Sequence, residues 1–226
     1  MTRKTNARIA GFTFLFYIAV AFPAMVLFNR ATSGEGIHAK LASIAQHTTE
    51  MRVTVLLTVL SSFSALVLAV TLYGITRDED NEIAMLGLAC RVGEGVLGAI
   101  PPTTLGLLWL GTAAGPNAPD AAAAGALGNF LLNVGEWQTT SSATLFAVGS
   151  TLFSYLLLRG RMIPVPLAWL GLVGSALLVV ALPLQLAEFL RSPVTQLMWI
   201  PVALFELTLG PWLLIKGVRT TAAQSP

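Results

Sequence analysis

Three ionisable side chains lie inside apolar stretches of the sequence, which makes them the first candidates for chemistry. Arg91 and Glu94 occupy the third such stretch, and Glu206 occupies the last. A charged side chain near the centre of a bilayer costs about 2.5–3.5 kcal/mol on insertion scales, so each one needs a partner or a function. Arg91 and Glu94 are three residues apart and therefore share one face of a helix.

The positions of Arg91 and Glu206 place both residues at a similar depth in the membrane. Each lies about eight or nine residues from the same surface, which is about 12–14 Å at 1.5 Å per residue. An ion pair between the two helices is therefore geometrically allowed. Two interpretations stay open: the three residues fasten the bundle together, or they line a polar cavity that holds a ligand head group or relays a proton.

A second polar group lies towards the other membrane surface. It consists of Glu136 before the fourth stretch, with Gln185 and Glu188 late in the fifth. These side chains can line an outer vestibule whose carboxylates attract a cation or a polar head group. Three tryptophans are typical of the aromatic belts at membrane interfaces: Trp137, Trp169 and Trp199.

The sequence lacks the common catalytic and cofactor motifs. It has no HExxH, P-loop or GxSxG pattern, and Cys90, its single cysteine, excludes an intramolecular disulfide or a cysteine-built metal site. The G-x-G-x-x-G match at 93–98 falls inside an apolar helix, where small residues favour close helix packing rather than dinucleotide binding. The acidic run 78–82 is interpreted as a solvated turn and N-cap. We therefore expect no metal and no cofactor, and an enzyme is the less favoured class.

Composition identifies the environment of these residues. Hydrophobic residues make up 55% of the 226 residues and charged residues 11%, against about 25% charged in a typical soluble domain. Six stretches are long enough to cross about 30 Å of hydrocarbon as helices. They cover 9–28, 53–73, 83–110, 140–158, 164–189 and 194–215. The predicted fold is an all-α polytopic transmembrane bundle, a single integral membrane domain over 1–226 with six spanning helices and a short outer helix.

The connections carry their own helix signals. The mixed run at 38–50 is typical of a short interfacial helix. Asp120 is a good N-cap and predicts the short outer helix, which would end at about Val134. The Pro101-Pro102 pair removes backbone donors and clashes with the preceding turn, so we expect it to break or kink the third span.

The distribution of lysine and arginine predicts the orientation, because basic residues favour the cytoplasmic side. Eight lie on the side that holds the N-terminus: Arg3, Lys4, Arg8, Arg77, Arg159, Arg161, Lys216 and Arg219. Four lie on the other side: Arg30, Lys40, Arg52 and Arg191. The protein is predicted to lie in the inner (plasma) membrane with both termini in the cytoplasm. The net charge of +2 is too small and too dispersed for a nucleic-acid partner.

Short motifs are spread over nearly the whole chain: Ala7-Arg8-Ile9-Ala10-Gly11, Ala89-Cys90-Arg91-Val92, Tyr155-Leu156-Leu157-Leu158-Arg159-Gly160, Phe205-Glu206-Leu207 and Trp212-Leu213-Leu214-Ile215-Lys216-Gly217. Together they resemble a bacterial membrane family described as domain of unknown function 4386. The resemblance implies a six-helix inner-membrane protein with Arg91 and Glu206 at polar positions, and it implies no particular activity. It also leads us to expect a histidine midway along the fourth span, where this chain reads Val148-Gly149-Ser150, so no imidazole role is carried over.

The favoured function is non-catalytic. A partly polar cavity between the third, fourth, fifth and sixth spans would bind a lipid-like or small amphipathic molecule, or the bundle would support a membrane complex. The alternatives are a small proton-coupled transporter that uses Glu94 or Glu206, and a membrane enzyme acting on a lipid. The expected partners are membrane lipid and either further copies of this chain or the other subunits of a membrane complex.

Overall fold

The residues that the structure describes fold into nine helices. In the computed structural model these residues are 2–99, 101–115, 118–190 and 194–219. The helices are α1 (Arg3–Ala31), α2 (Gly36–Gln46), α3 (Thr48–Thr76), α4 (Asn81–Ala99), α5 (Pro102–Thr112), α6 (Ala121–Arg159), α7 (Val165–Leu186), α8 (Val194–Leu197) and α9 (Ile200–Ile215). Six segments are long and apolar enough to span a membrane, α4 with α5 forming one and α8 with α9 another. The chain is therefore a multi-pass integral membrane protein, as predicted.

The spanning helices begin and end at slightly different residues from the apolar stretches. The first helix covers Arg3–Ala31 rather than 9–28, and the second covers Thr48–Thr76 rather than 53–73. Hydropathy marks only the apolar part of a helix, whereas its hydrogen bonding continues through polar ends. The fifth span instead stops early, at Leu186, because Glu188 adopts a left-handed conformation with φ 62° and the amide of Phe189 donates to the carbonyl of Leu184 at 2.8 Å.

The proline pair divides the third span, as predicted. Helix α4 ends at Ala99 and α5 begins at Pro102. Pro101 has no amide hydrogen to donate to the carbonyl of Leu97, four residues earlier. The side chain of Gln138 on α6 donates to that carbonyl instead, at 2.6 Å. A neighbouring helix thus supplies the lost hydrogen bond, as the membrane interior requires.

The predicted short outer helix after Asp120 is not a separate element, and this prediction is wrong. Asp120 does cap a helix, because its carboxylate accepts from the amide of Ala123 at 2.8 Å, but that helix continues to Arg159. Its 39 residues extend about 58 Å at 1.5 Å per residue. The polar residues 136–138 lower the hydropathy there, yet none of them breaks a helix. The short helix outside the spans is α2.

The six spans form a closed ring in sequence order. Helix α1 packs on α3, α3 on α4, α4 on α6, α6 on α7 and α7 on α9, which returns to α1. The closing contact is tight at Gly11, where a Cβ would lie 2.7 Å from the carbonyl oxygen of Gly210. Small residues at a crossing let two helix backbones approach closely, and this pair closes the ring.

Several ion pairs lie at the end of the ring that holds the start of α1, which we call the N-terminal end. There Arg3 on α1 lies 3.7 Å from both Asp78 and Glu79, and Arg159 at the end of α6 lies 3.1 Å from Asp80. Asp80 also accepts from the amide of Ile83 at 3.2 Å, which confirms the predicted N-cap in the acidic run. At the other end, which we call the far end, α2 packs on α1, α3 and α5.

The interior of the ring differs between its two halves. Towards the N-terminal end, buried apolar side chains fill it, including Phe14, Leu68, Phe153, Leu156 and Leu209. The outer surface of the spans carries large exposed apolar side chains, such as Leu56 and Val173. An apolar outer surface is expected where acyl chains are the solvent. The far-end half of the interior is open and contains the candidate site.

Candidate ligand-binding site

A cavity of about 780 Å³ occupies the far-end half of the ring. All six spans line it, and one residue from each is Tyr17, Ser61, Glu94, Phe146, Leu182 and Glu206. The cavity predicted from the sequence lay between the third, fourth, fifth and sixth spans only. Because the ring is closed, α1 and α3 complete the wall.

Arg91 and Glu94 form a buried ion pair within α4. Their Nη1 and Oε2 atoms lie 2.9 Å apart, and their side chains are only 2% and 8% exposed. The two atoms are close, but their alignment does not make a hydrogen bond. The Cζ atom of Arg91 lies 4.7 Å from the centre of the Phe146 ring on α6, which is the geometry of a cation–π contact.

The close partner of Arg91 is therefore on its own helix, whereas the sequence also allowed a pair with Glu206 on the last span. Glu206 is half-buried and lines the cavity. It lies near enough for the charges of Arg91 and Glu94 to act on it. Within the described residues, Glu206 makes no ion pair at contact distance. The structure thus brings the three predicted residues into one region, with one carboxylate left unpaired.

Gly149 on α6 makes room for the arginine. A Cβ there would lie 2.8 Å from Cγ and 3.0 Å from Cδ of Arg91. This glycine belongs to the segment 148–150, where the family resemblance leads us to expect a histidine. In this chain the aliphatic part of the Arg91 side chain occupies the space beside position 149. Helices α4 and α6 therefore pack closely at this point.

Tyr17 is a cavity residue that the sequence pattern was not used to predict. Its half-buried side chain lines the cavity, and its hydroxyl interacts electrostatically with Glu94, Glu206 and Arg91. A signal was present, because Tyr17, Ala21, Ala24 and Phe28 recur every three or four residues and therefore share one face of α1. All four line the cavity.

Trp199 is a further aromatic residue of the site. It lines the cavity, and its ring lies 6.3 Å from that of Phe146, centre to centre. Trp137 and Trp169 are 50% and 51% exposed and do not line it. Hydropathy cannot separate these tryptophans, because all three lie near span ends.

The predicted outer vestibule is assembled only in part. Glu136 and Gln185 line the cavity, but Glu188 is exposed beyond the end of α7 and does not. The side-chain oxygen of Gln185 is buried without a hydrogen-bond partner. The cavity therefore has a free acceptor near its far end.

Two hydroxyl groups on the cavity wall are also without partners. Thr54 and Thr140 donate to the carbonyl four residues earlier in their helices, the usual arrangement in a membrane. Ser61 and Thr103 line the same cavity, and their buried hydroxyl oxygens have no hydrogen-bond partner. A buried unsatisfied polar group costs about 1–3 kcal/mol. The wall is therefore suited to a polar occupant.

The glycines at 93–98 pack helices closely. Cβ atoms at Gly93, Gly95 and Gly98 would each lie 2.9–3.0 Å from a side chain of a neighbouring helix. This confirms the packing interpretation of the G-x-G-x-x-G match. In the part of the chain that the structure describes, no three histidine, cysteine or carboxylate side chains are grouped to hold a metal ion.

Comparison with known proteins gives one match. A family model described as "Domain of unknown function (DUF4386)" matches residues 9–217, which include every cavity residue named above. No curated protein and no solved structure matches the chain. Activity must therefore be argued from the cavity itself.

Proposed function

The chain belongs to the DUF4386 family, and from that premise we propose that it binds a lipid-like or small amphipathic molecule within the membrane. The observation that carries the proposal is the cavity of about 780 Å³ with Glu94 and Glu206 on its wall. Ligand sites for drug-sized molecules measure about 300–1,000 Å³ and combine apolar walls with a few polar groups. This cavity has that size and that composition.

The two kinds of lining support an amphipathic occupant. Carboxylates and unpartnered hydroxyls offer contacts to a polar head group, whereas Met25, Phe28 and Leu182 offer an apolar surface. A purely apolar occupant would leave the polar groups unsatisfied, which is costly in a medium without water. A purely polar one would gain nothing from the apolar wall.

The buried apolar side chains that fill the N-terminal half of the ring favour binding over transport. The apolar core around Phe14, Phe153 and Leu209 lies between the cavity and the N-terminal end. Proton-coupled transport would need that core to open. The embedded carboxylates suit either function, so the packed core is the feature that supports binding.

We also propose that the protein lies in the inner membrane with both termini in the cytoplasm. The support is the excess of basic residues, eight against four, on the side of the N-terminus. One of the four, Arg191, lies outside the described residues. In a Cys90→Ser background, a cysteine at Lys4 should react with an impermeant maleimide only after permeabilisation, and one at Lys40 should react in intact cells. The reverse pattern would overturn the orientation.

Filling the cavity tests the proposed function. Ala143→Trp would place an indole in the cavity, since Ala143 lines it. Val173→Trp is the matched control, because Val173 is 60% exposed on the outer surface. Small molecules that copurify with each protein are extracted and identified by mass spectrometry. We expect the wild type and the control to carry the same compound and Ala143→Trp to lose it. An unchanged compound in a folded Ala143→Trp protein would contradict the proposal.

A further inference from the structure

We propose that the occupant of the cavity is an amphipathic cation, with an amine, quaternary ammonium or similar positive head group. This inference rests on the proposed function and specifies its ligand class. It depends on the charges, rings and free acceptors that line the cavity.

The charge of the lining favours a cation. Three carboxylates line the cavity, those of Glu94, Glu136 and Glu206, and among the described residues no lysine, arginine or histidine lines it. Arg91 neutralises one of them, because it lies 2.9 Å from Glu94. Glu206 has no such partner. An ionised carboxylate in low dielectric is stabilised by a positive charge beside it, and a bound cation can supply that charge.

Arg91 is not available to an anion. Its side chain is 2% exposed and does not line the cavity. Its stem lies against Gly149, its charged group against the Phe146 ring, and Glu94 is its ion-pair partner. A phosphate or carboxylate head group would therefore meet the carboxylates without a compensating cation. The negative charges of such a head group and of the carboxylates would repel each other.

Aromatic rings strengthen the preference. Tyr17 and Trp199 line the same cavity as Glu206, whereas the Phe146 ring already faces Arg91. The face of an aromatic ring attracts a cation by about 0.5–2 kcal/mol, with the larger values in desolvated sites. Carboxylate and rings together form the usual surroundings of a substituted ammonium group. The free carbonyl oxygen of Gln185 can in addition accept from an N–H donor.

A pair of probes with the same shape and opposite charge tests this inference. Tetraphenylphosphonium and tetraphenylborate are each measured by equilibrium dialysis against the purified full chain in non-ionic detergent, with protein-free micelles as the blank. We expect saturable binding of the phosphonium alone. Glu206→Gln should weaken this binding by about tenfold, which corresponds to about 1.4 kcal/mol. Glu188→Gln is the matched control, since its carboxylate does not line the cavity.

Further measurements separate a binding defect from a folding defect. Each variant is checked by gel filtration and thermal unfolding, and Trp199→Leu removes a ring without changing any charge. We expect Trp199→Leu to weaken phosphonium binding by about three- to tenfold. Binding of the phosphonium that does not depend on Glu206, or equal binding of the borate, would overturn the inference. If a neutral or anionic compound copurifies and is lost in Ala143→Trp, the proposed function stands and the cationic class is wrong.

Discussion

Gly149 leaves the space that the buried Arg91 side chain occupies. Replacing this glycine with alanine, which adds only a Cβ, tests this role. Gly149→Ala adds a Cβ 2.8 Å from Cγ of Arg91 and 3.2 Å from the carbonyl oxygen of Gly87. The ion pair and the Phe146 ring hold the arginine, so the stem cannot move freely. We expect the free energy of unfolding to fall by about 1–3 kcal/mol, the usual cost of overpacking. Unfolding by dodecyl sulfate titration in mixed micelles measures it.

Gly93→Ala is the matched control for that substitution. Its Cβ would meet only Cδ1 of Leu145, the end of a flexible side chain, at 2.9 Å. The clash is easily relieved, and alanine favours the helix by about 1 kcal/mol over glycine. Its stability should therefore stay within about 1 kcal/mol of the wild type. Equal losses in the two variants would show that Arg91 is not held as described.

At this scale the sequence predicts the embedded residues better than their partners. Arg91, Glu94 and Glu206 are identifiable because charge is costly in a bilayer. The choice of Glu94 rather than Glu206 as the close partner depends on side-chain torsions, which spacing does not determine. Tyr17 and Trp199 are harder to recognise, since an aromatic residue in an apolar stretch serves equally in a core, a belt or a site.

The junction between α4 and α5 depends on a side chain from another helix. Gln138→Leu removes the donor to the carbonyl of Leu97. Pro101, four residues after Leu97, has no amide hydrogen that could replace it. We expect a loss of about 1–3 kcal/mol, the cost of an acceptor left without a partner where lipid rather than water surrounds the helix. Faster hydrogen exchange in 94–99 should accompany it. Thr139→Val is the control, because the Thr139 hydroxyl donates within α6, to Gly135. An unchanged exchange rate in Gln138→Leu would contradict this role.

Elements are predicted well where a residue dictates geometry and poorly where only polarity changes. The break at Pro101-Pro102 and the cap at Asp120 follow from what those side chains do to backbone hydrogen bonds. The continuity of α6 was not predicted, because a drop in hydropathy at 136–138 resembles the end of a span. Hydropathy reports the solvent around a helix and not where the helix stops.

Closure of the ring should fail if Gly11 gains a side chain. A Cβ there would lie 2.7 Å from the Gly210 oxygen and 2.9 Å from Cα of Leu214, and backbone atoms cannot give way. Gly11→Ala should therefore separate α1 from α9, lower the free energy of unfolding by about 2–3 kcal/mol and abolish retention of the copurifying compound. The atoms nearest to a Cβ at position 210 would be side-chain atoms of Leu15 and Phe14, at 3.3 Å, so Gly210→Ala should behave nearly as wild type. Comparable stability of the two variants would show that the crossing is not tight.

The sequential order of the ring also has a consequence for how the protein is made. Each newly inserted span packs on the span before it, and the pairing of α1 with α9 joins the first span to the last. Before that pairing, the first five spans would form an incomplete ring that lacks the α9 wall of the cavity beside Glu94. We therefore expect chaperones and proteases to act mainly on the protein that has not yet paired α1 with α9. A ribosome stalled before α9 emerges would leave a recognisably unfinished product.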